Sequence, residues 1–276
     1  MTHGNDGTHG PAAGTEYDQD AYDDASLAIS LAALAEDGPP GLLARIVAQW
    51  ARVPGPVVDL YVASTDRGIA YVRTTVAVHD SPRQFAELFH RRFARPLLPA
   101  QHPPAGLARA LRAHSAAGLG LDLDGLSAFE REVLLAVLTI PRGQVRPHAW
   151  VAHRIGRPRA VDAVGSALGD NPVPVLVPCH RVIRSDGSLG DHVFGPPVKR
   201  ALLDAEGVNV GEVYELGRRR VHYLGSDATG VVCYPTCPHA RLITAPHRQG
   251  FRSVEQAEGA GYRPCPHCGP VPEEVV

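Results

Sequence analysis

Asn171-Pro-Val-Pro-Val-Leu-Val-Pro-Cys-His-Arg-Val-Ile183 is the stretch on which the reading of this chain turns. Pro172, Pro174 and Pro178 each lack a backbone donor and fix φ, so the segment excludes a helix and reads as short and extended. It carries Cys179 at its end. That cysteine stands apart, because the other four of the five lie between positions 233 and 268. A lone cysteine is by default a small buried hydrophobe. A thiol with pKa near ~8.5 becomes a good nucleophile only beside a base or a positive field, and His180 follows directly. In an extended segment adjacent side chains point to opposite faces, so a bridging water relays a proton between Cys179 and His180 more easily than direct contact. A carboxylate is needed to orient the imidazole, and spacing alone does not choose it.

Working outward, Arg146 to Leu168 reads as two short helices broken at Gly156-Arg-Pro158, a helix-turn-helix outline that two ordinary packed helices would equally satisfy. The second, from Pro158 to Leu168, is slim, with Ala160, Ala163, Gly165, Ser166 and Ala167, which suits entry into a narrow groove or close helix packing. Ser127 and Glu130 form a capping-box pattern ahead of a helix with Phe129, Val133, Ala136 and Val137 on one face. Further upstream, 100 to 125 is a Pro/Ala/Gly-rich crossing, Pro82 to Arg95 a helix, and Val57 to Val76 two strands around Asp66-Arg-Gly68. Apolar spacing from Ser26 to Ala51 predicts two short helices. Downstream, 196 to 207 reads as a helix closed by Gly207, and 208 to 220 as a linker.

The chain has 276 residues, enough for two compact units, and a net charge of -2. Residues 1 to 25 carry six acidic residues and no Lys or Arg, a local -6, so the remainder carries +4. An acidic, Gly-rich tail of this kind is expected to be disordered, and the mildly basic body is compatible with nucleic-acid contact. The first residues lack a basic start and an apolar core, and no apolar run approaches membrane-spanning length. Reduced thiols in a cytoplasmic protein are therefore expected, which favours catalysis or metal binding over disulfides.

Cys233-x3-Cys237 and Cys265-x2-Cys268, separated by 27 residues, form two close pairs that supply four thiolates at tetrahedral geometry. Zinc is the expected ion, and His239 and His267 beside the ligands are expected to be surface residues. Most four-cysteine zinc sites only hold a fold together. Four thiolates also leave a formal charge of -2 on the site, which keeps the sulfurs nucleophilic at neutral pH. Residues 217 to 276 hold seven Arg and five acidic residues, so zinc at the cluster brings the module to about zero charge. Methylating one sulfur would remove a negative charge and strengthen attraction to phosphates.

The Pro-Cys-His-Arg core, with Ile140-Pro-Arg-Gly143, Gly187, Gly190, Val198-Lys199, Leu202-Leu203 and Glu206-Gly207, resembles the O6-alkylguanine-DNA alkyltransferases over roughly 55 to 210. The resemblance implies Cys179 as single-use alkyl acceptor, His180 as base acting through water, Glu206 as its orienting carboxylate and Asn171 as support for the turn. It implies minor-groove contact with double-stranded DNA and extrusion of the target base, since a stacked base cannot present its O6 substituent to a sulfur. Arg159, Ala163 and Arg181 are the expected DNA contacts, and His148, His192 and Lys199 the expected pocket lining. Thr229-Gly-Val-Val-Cys-Tyr-Pro-Thr-Cys237 and Gly-Tyr-Arg-Pro-Cys-Pro-His-Cys268 resemble the metal-binding domain of the adaptive-response Ada proteins. There the cysteine matching Cys233 removes a methyl group from a DNA methylphosphotriester.

The expected fold is α/β: a small RNase H-like sheet unit over 26 to 125, a winged-helix-like helical domain bearing Cys179 over 126 to 210, a linker over 211 to 220, and a zinc-stabilised α/β module over 221 to 276. Several positions depart from the family. Asp162 stands where an arginine normally fills the gap left by the flipped base, and Arg159 is the candidate substitute. His148 and His192 stand where tyrosines are usual, and Val193-Phe194-Gly195 replaces a small Ser-Gly-Gly wall. Asp162 and the changed pocket leave a non-catalytic lesion-binding protein as the main rival reading, and the zinc module leaves a methylation-sensing regulatory DNA-binding protein as another.

Overall fold

The structure, a computed structural model, describes residues 45–272, so the acidic tail over 1–25 and the helices expected between 26 and 44 lie outside the described residues. Where that helical segment was expected to end, residues 48–53 instead form strand β1 (Ala48–Val53). Ala48, Ala51 and Val53 are buried and Gln49 and Arg52 exposed; Gln49–Val53 pair along one edge and Ala48–Trp50 along the other, which satisfies backbone groups on both sides of its first half. β1 joins β2 (Leu60–Thr65), β3 (Gly68–Thr74) and β4 (Leu97–Pro99) in the order β3-β2-β1-β4, antiparallel except for the β1–β4 pair. Gly68 closes the β2–β3 turn at φ +138°, and a Cβ there would meet the Gly120 backbone at 2.2 Å.

Both faces of this sheet are covered. Tyr61, Ala63, Ala70 and Tyr71 pack against Phe85 and Phe89 of α1 (Pro82–Phe93), which Ser81 caps by accepting from the Gln84 amide. Leu60, Val62, Ile69 and Val72 point the other way into the main core. There they meet α2 (Leu107–Ala113), lying within the Pro/Ala/Gly-rich crossing, and α3 (Ala128–Val137), which begins at the expected Ser127–Glu130 capping box. The helix-turn-helix pair is α4 (His148–Arg154) and α5 (Val161–Gly169). α5 starts three residues later than expected. The Ala160 amide donates to the Arg157 carbonyl, so Pro158 and Arg159 belong to a turn.

The Cys179 loop is tighter than the extended segment its prolines suggested. Val177 N–H donates to Val173 O at 2.9 Å, and Val175, a β-branched residue, sits at φ +75°. Asn171 staples the turn by accepting from the Val173 amide and donating to the Val177 carbonyl. A conformation this unfavourable costs on the order of 1–3 kcal/mol and persists only where its surroundings enforce it. Cys179–Arg181 then form a 3-10 turn, and β6 (Val182–Ile183) pairs in parallel with β5 (Arg146–Pro147). α6 (Gly195–Ala205) follows. The expected linker over 211–220 is instead occupied largely by α7 (Val210–Arg218), capped by Asn209. Val208, Val210 and Val213 pack with Val145, Ile183 and Leu203, and that buried stripe stabilises the helix.

The cysteine-rich end has its own sheet, β7 (Tyr223–Ser226), β8 (Val231–Cys233), β9 (Arg248–Phe251) and β10 (Arg263–Pro264), in the order β10-β8-β7-β9. α8 (Pro238–Arg241) and α9 (Val254–Gly259) cover it. This module is fastened to the helical part. Thr236 Oγ1 accepts from the Val145 amide at 2.9 Å, Arg241 donates to Gly143 O at 2.7 Å, and Trp150 Nε1 donates to Cys268 O at 3.2 Å. Among the described residues no helix is long and apolar enough to cross a membrane.

Candidate functional site

Cys179 is 3 % exposed and lines a cavity of about 380 Å³ between α4, α5, the β6 end and α6, with His148, Gly165, His192 and Lys199 among its other walls. The sequence-predicted pocket residues are thus together. Burial pushes the Cys179 thiol up, while Asn171, Lys199 and Arg73 pull in the opposite direction. Lys199 is almost fully buried and donates to the carbonyls of Val182 at 2.6 Å and Asp191 at 3.3 Å. Burial lowers its pKa to about 8, against the attraction of Cys179 and Asp191. Burial, with Lys199 nearby, also lowers His148 to about 4 and His192 to about 3, so both pocket imidazoles are neutral at pH 7.

Behind the sulfur lies a fully buried polar knot. Glu206 Oε1 accepts from His180 Nε2 at 2.8 Å and His114 Nδ1 at 2.7 Å, and Arg181 clasps both carboxylate oxygens. The Gly143 amide donates to Oε2 at 3.0 Å. Burial alone would raise the Glu206 pKa, but the bonds from His114, His180 and Arg181 hold the carboxyl far below its usual range. His180 itself is lowered by burial, against the pull of Glu206. With Nε2–H committed to an ionised carboxylate, its Nδ1 keeps a free lone pair, buried and without a hydrogen-bond partner. His114, Glu206 and His180 lie close enough to suggest a metal triad, but the Arg181 guanidinium already occupies the carboxylate.

Two predicted positions need correction. Arg181 is not a DNA contact: its side chain is 4 % exposed and spends its donors on Glu206, Ile140 O and His114 O. Arg159 is exposed, as a DNA contact requires, but it lies in the turn before α5 instead of on the helix face one turn ahead of Asp162. Ala163 is exposed on α5, and Asp162 is exposed at the cavity rim. His114 and Arg73 were not anticipated. A single histidine on a helix C-cap and a strand arginine carry no local pattern, and only the fold brings them to Glu206 and Cys179.

In the second module Cys233, Cys237 and Cys265 place their sulfurs within 4.8 Å of one another, and Cys268 interacts with both Cys233 and Cys237. Hydrogen bonding to Cys237 pushes the Cys233 thiol up, and the same bond lowers Cys237. Thiols packed this closely cannot all ionise without a cation, and four of them at this spacing fit a tetrahedral zinc ion. The sulfurs differ in their surroundings. Cys237 also receives the amides of His239 and Ala240, Cys268 that of Tyr234, and Cys265 lies 3.4 Å from His239 Nδ1. Cys233 interacts with the sulfurs of Cys237 and Cys268, and it lines an open cavity with Arg263, Leu242 and Thr229. His239 and His267 are exposed as expected, although His239 also reaches the cluster. The buried Arg146 guanidinium, held by Gln144 and stacked at 5.0 Å over Tyr234, faces Cys268, Cys237 and Cys265 from the helical side.

Comparison with known proteins agrees with this division. Residues 128–208 match the family model of the 6-O-methylguanine DNA methyltransferase DNA-binding domain, and residues 219–271 match that of the metal-binding domain of Ada. The methylated-DNA–protein-cysteine methyltransferase of Shigella flexneri is 40 % identical over 109 residues, covering 38 % of this chain and 64 % of its own length. The bifunctional transcriptional activator/DNA repair enzyme Ada of Escherichia coli is 42 % identical over 91 residues, covering 33 % of this chain and 25 % of its own. The solved O6-methylguanine methyltransferase of Mycobacterium tuberculosis is 30 % identical, with a TM-score of 0.48, covering 58 % of this chain and 92 % of that one. The chain thus spans less than two thirds of the curated relatives it matches. Residues 128–208 belong to the DNA-binding-domain family of the 6-O-methylguanine DNA methyltransferases, and residues 219–271 to the family of the Ada metal-binding domain.

Proposed function

We propose that this protein repairs alkylated DNA by direct reversal, taking an alkyl group from O6-alkylguanine in duplex DNA onto Cys179 in a single turnover. The observation that carries the reading is the buried, unpartnered lone pair of His180 Nδ1, on the residue that follows Cys179, in a ring oriented by an ionised Glu206. The proton of the Cys179 thiol passes through a water to that nitrogen. The thiolate attacks the alkyl carbon, an S–C bond forms, the C–O6 bond breaks, and the departing purine takes up a proton. Glu206 holds the imidazole in the tautomer with its proton on Nε2 and stabilises it when charged. The cavity of about 380 Å³ accepts an extruded base, with α5 and its exposed Ala163 against the groove and Arg159 on the flanking phosphates.

The same reading gives the cysteine-rich module a zinc ion held by Cys233, Cys237, Cys265 and Cys268, and makes Cys233 a second acceptor. Zinc supplies the charge that keeps all four sulfurs ionised at neutral pH. Cys233, open to a cavity lined by Arg263, forms the S–C bond to a methyl group while its C–O bond to the phosphotriester breaks, releasing a phosphodiester. The architecture is in keeping with an RNase H-like sheet unit, suggested by the β3-β2-β1-β4 order with a parallel β1–β4 pair, and with a winged-helix-like second unit over 126–210. Five free cysteines suit a reducing compartment such as the cytoplasm. The test is peptide mass spectrometry after incubation with duplex DNA carrying O6-methylguanine. One methyl per chain on Cys179 is expected; tight binding with no mass gain would favour the lesion-binding reading.

A further inference from the structure

Cys179 and the imidazoles around it divide their labour in a way the motif does not reveal. His192 Nε2 lies 3.4 Å from the Cys179 sulfur, and the opposite nitrogen, Nδ1, accepts the backbone N–H of Phe194 at 3.2 Å. A nitrogen that accepts carries the lone pair, so the ring's proton sits on Nε2 and points at the sulfur. His180 has the reverse arrangement, with its proton on Glu206 and its lone pair free.

We infer that His192 is a thiolate-stabilising hydrogen-bond donor to Cys179, while His180 alone serves as the base. The inference rests on Cys179 being the acceptor. When the thiol proton leaves toward His180, the charge left on sulfur is met by the Nε2–H of His192. Formation of the S–C bond turns the sulfur into a neutral thioether, a weak acceptor, and releases that donor. Burial keeps the His192 ring neutral, so it holds a single proton and cannot serve as donor and base together. The remaining groups acting on the sulfur are Arg73 from β3, Lys199 from α6 and Asn171 from the loop, with His148 from α4 and Asp191 at the cavity wall.

The experiment follows the rate at which iodoacetamide modifies Cys179, located by peptide mass spectrometry, as a function of pH in the zinc-loaded full chain. His192→Phe removes the donor and keeps a ring; His192→Gln offers an N–H but is no base. Phe should raise the pH midpoint by about one unit, a roughly tenfold slower reaction at pH 7, and Gln should stay within about threefold of the parent. His192→Leu repeats the comparison if Phe lowers the melting temperature. An unchanged midpoint in both apolar variants, or a loss in Gln equal to theirs, overturns the inference. Parallel incubation with O6-benzylguanine scores the acceptor role separately, because iodoacetamide reads the thiol whether or not the protein repairs DNA.

Discussion

Arg181→Ala distinguishes a buried structural cation from a DNA-binding one, because the two placements predict opposite losses. The arginine makes two kinds of contact: it clasps both oxygens of Glu206 and it donates to the carbonyls of Ile140 and His114. Its removal leaves the Glu206 charge dependent on two histidines and one amide, and orphans two buried carbonyls. Breaking one side of a buried ion pair costs about 3–5 kcal/mol. For a body of this size, where 1 kcal/mol moves Tm by about 2–4 °C, a fall of roughly 6–20 °C is expected. The assay is thermal unfolding followed by circular dichroism, paired with affinity for undamaged duplex DNA across a salt series. A folded-state affinity and salt slope equal to the parent's are expected, since no phosphate contact is lost. A variant that melts with the parent yet loses one phosphate contact from its salt slope would refute the placement of Arg181.

Arg159→Ala, at an exposed turn, should behave in the opposite way: an unchanged melting temperature, with much slower repair of duplex DNA than reaction with free O6-benzylguanine, and equal losses on the two substrates would count against it. Stability should fall as pH drops from about 6.5 toward 4. His148 and His192 have folded pKa values lowered to about 4 and about 3, so the unfolded chain binds more protons in that window, on the order of 1.4 kcal/mol per pH unit for each group. Urea midpoints measured at pH 7 and pH 5 test this. Gly217→Ala should destabilise the chain by more than about 1 kcal/mol, because the added Cβ would lie 1.9 Å from the Asp186 carbonyl oxygen and the atoms it meets are backbone; an unaltered denaturation midpoint would contradict that fit. Chelating zinc should unfold the cysteine-rich module and free Trp150 from Cys268 O, seen as a red shift in tryptophan emission that zinc reverses.

The sequence alone determined the elements whose signals are local. Ser127 and Glu130 cap α3, the β2–β3 hairpin turns at Asp66-Arg-Gly68, and the two cysteine pairs announce a tetrahedral site, because each pattern is satisfied within a few residues. The proline-rich stretch singled out Cys179 and His180 for the same reason. Tertiary structure decided everything that depends on distant partners. It made Ala48–Val53 a strand, since pairing with β2 over Gln49–Val53 and with β4 over Ala48–Trp50 outweighs a helical spacing of apolar residues. It turned the expected linker into α7, because Val145, Ile183 and Leu203 offer its apolar stripe a place to bury. It sent Arg181 inward to a carboxylate 25 residues along the chain, and brought His114 and His192 to groups 92 and 13 residues away. Hydrogen-bond partners so far apart leave no periodicity to read, and only the folded chain determines which imidazole nitrogen faces the sulfur and which keeps its lone pair.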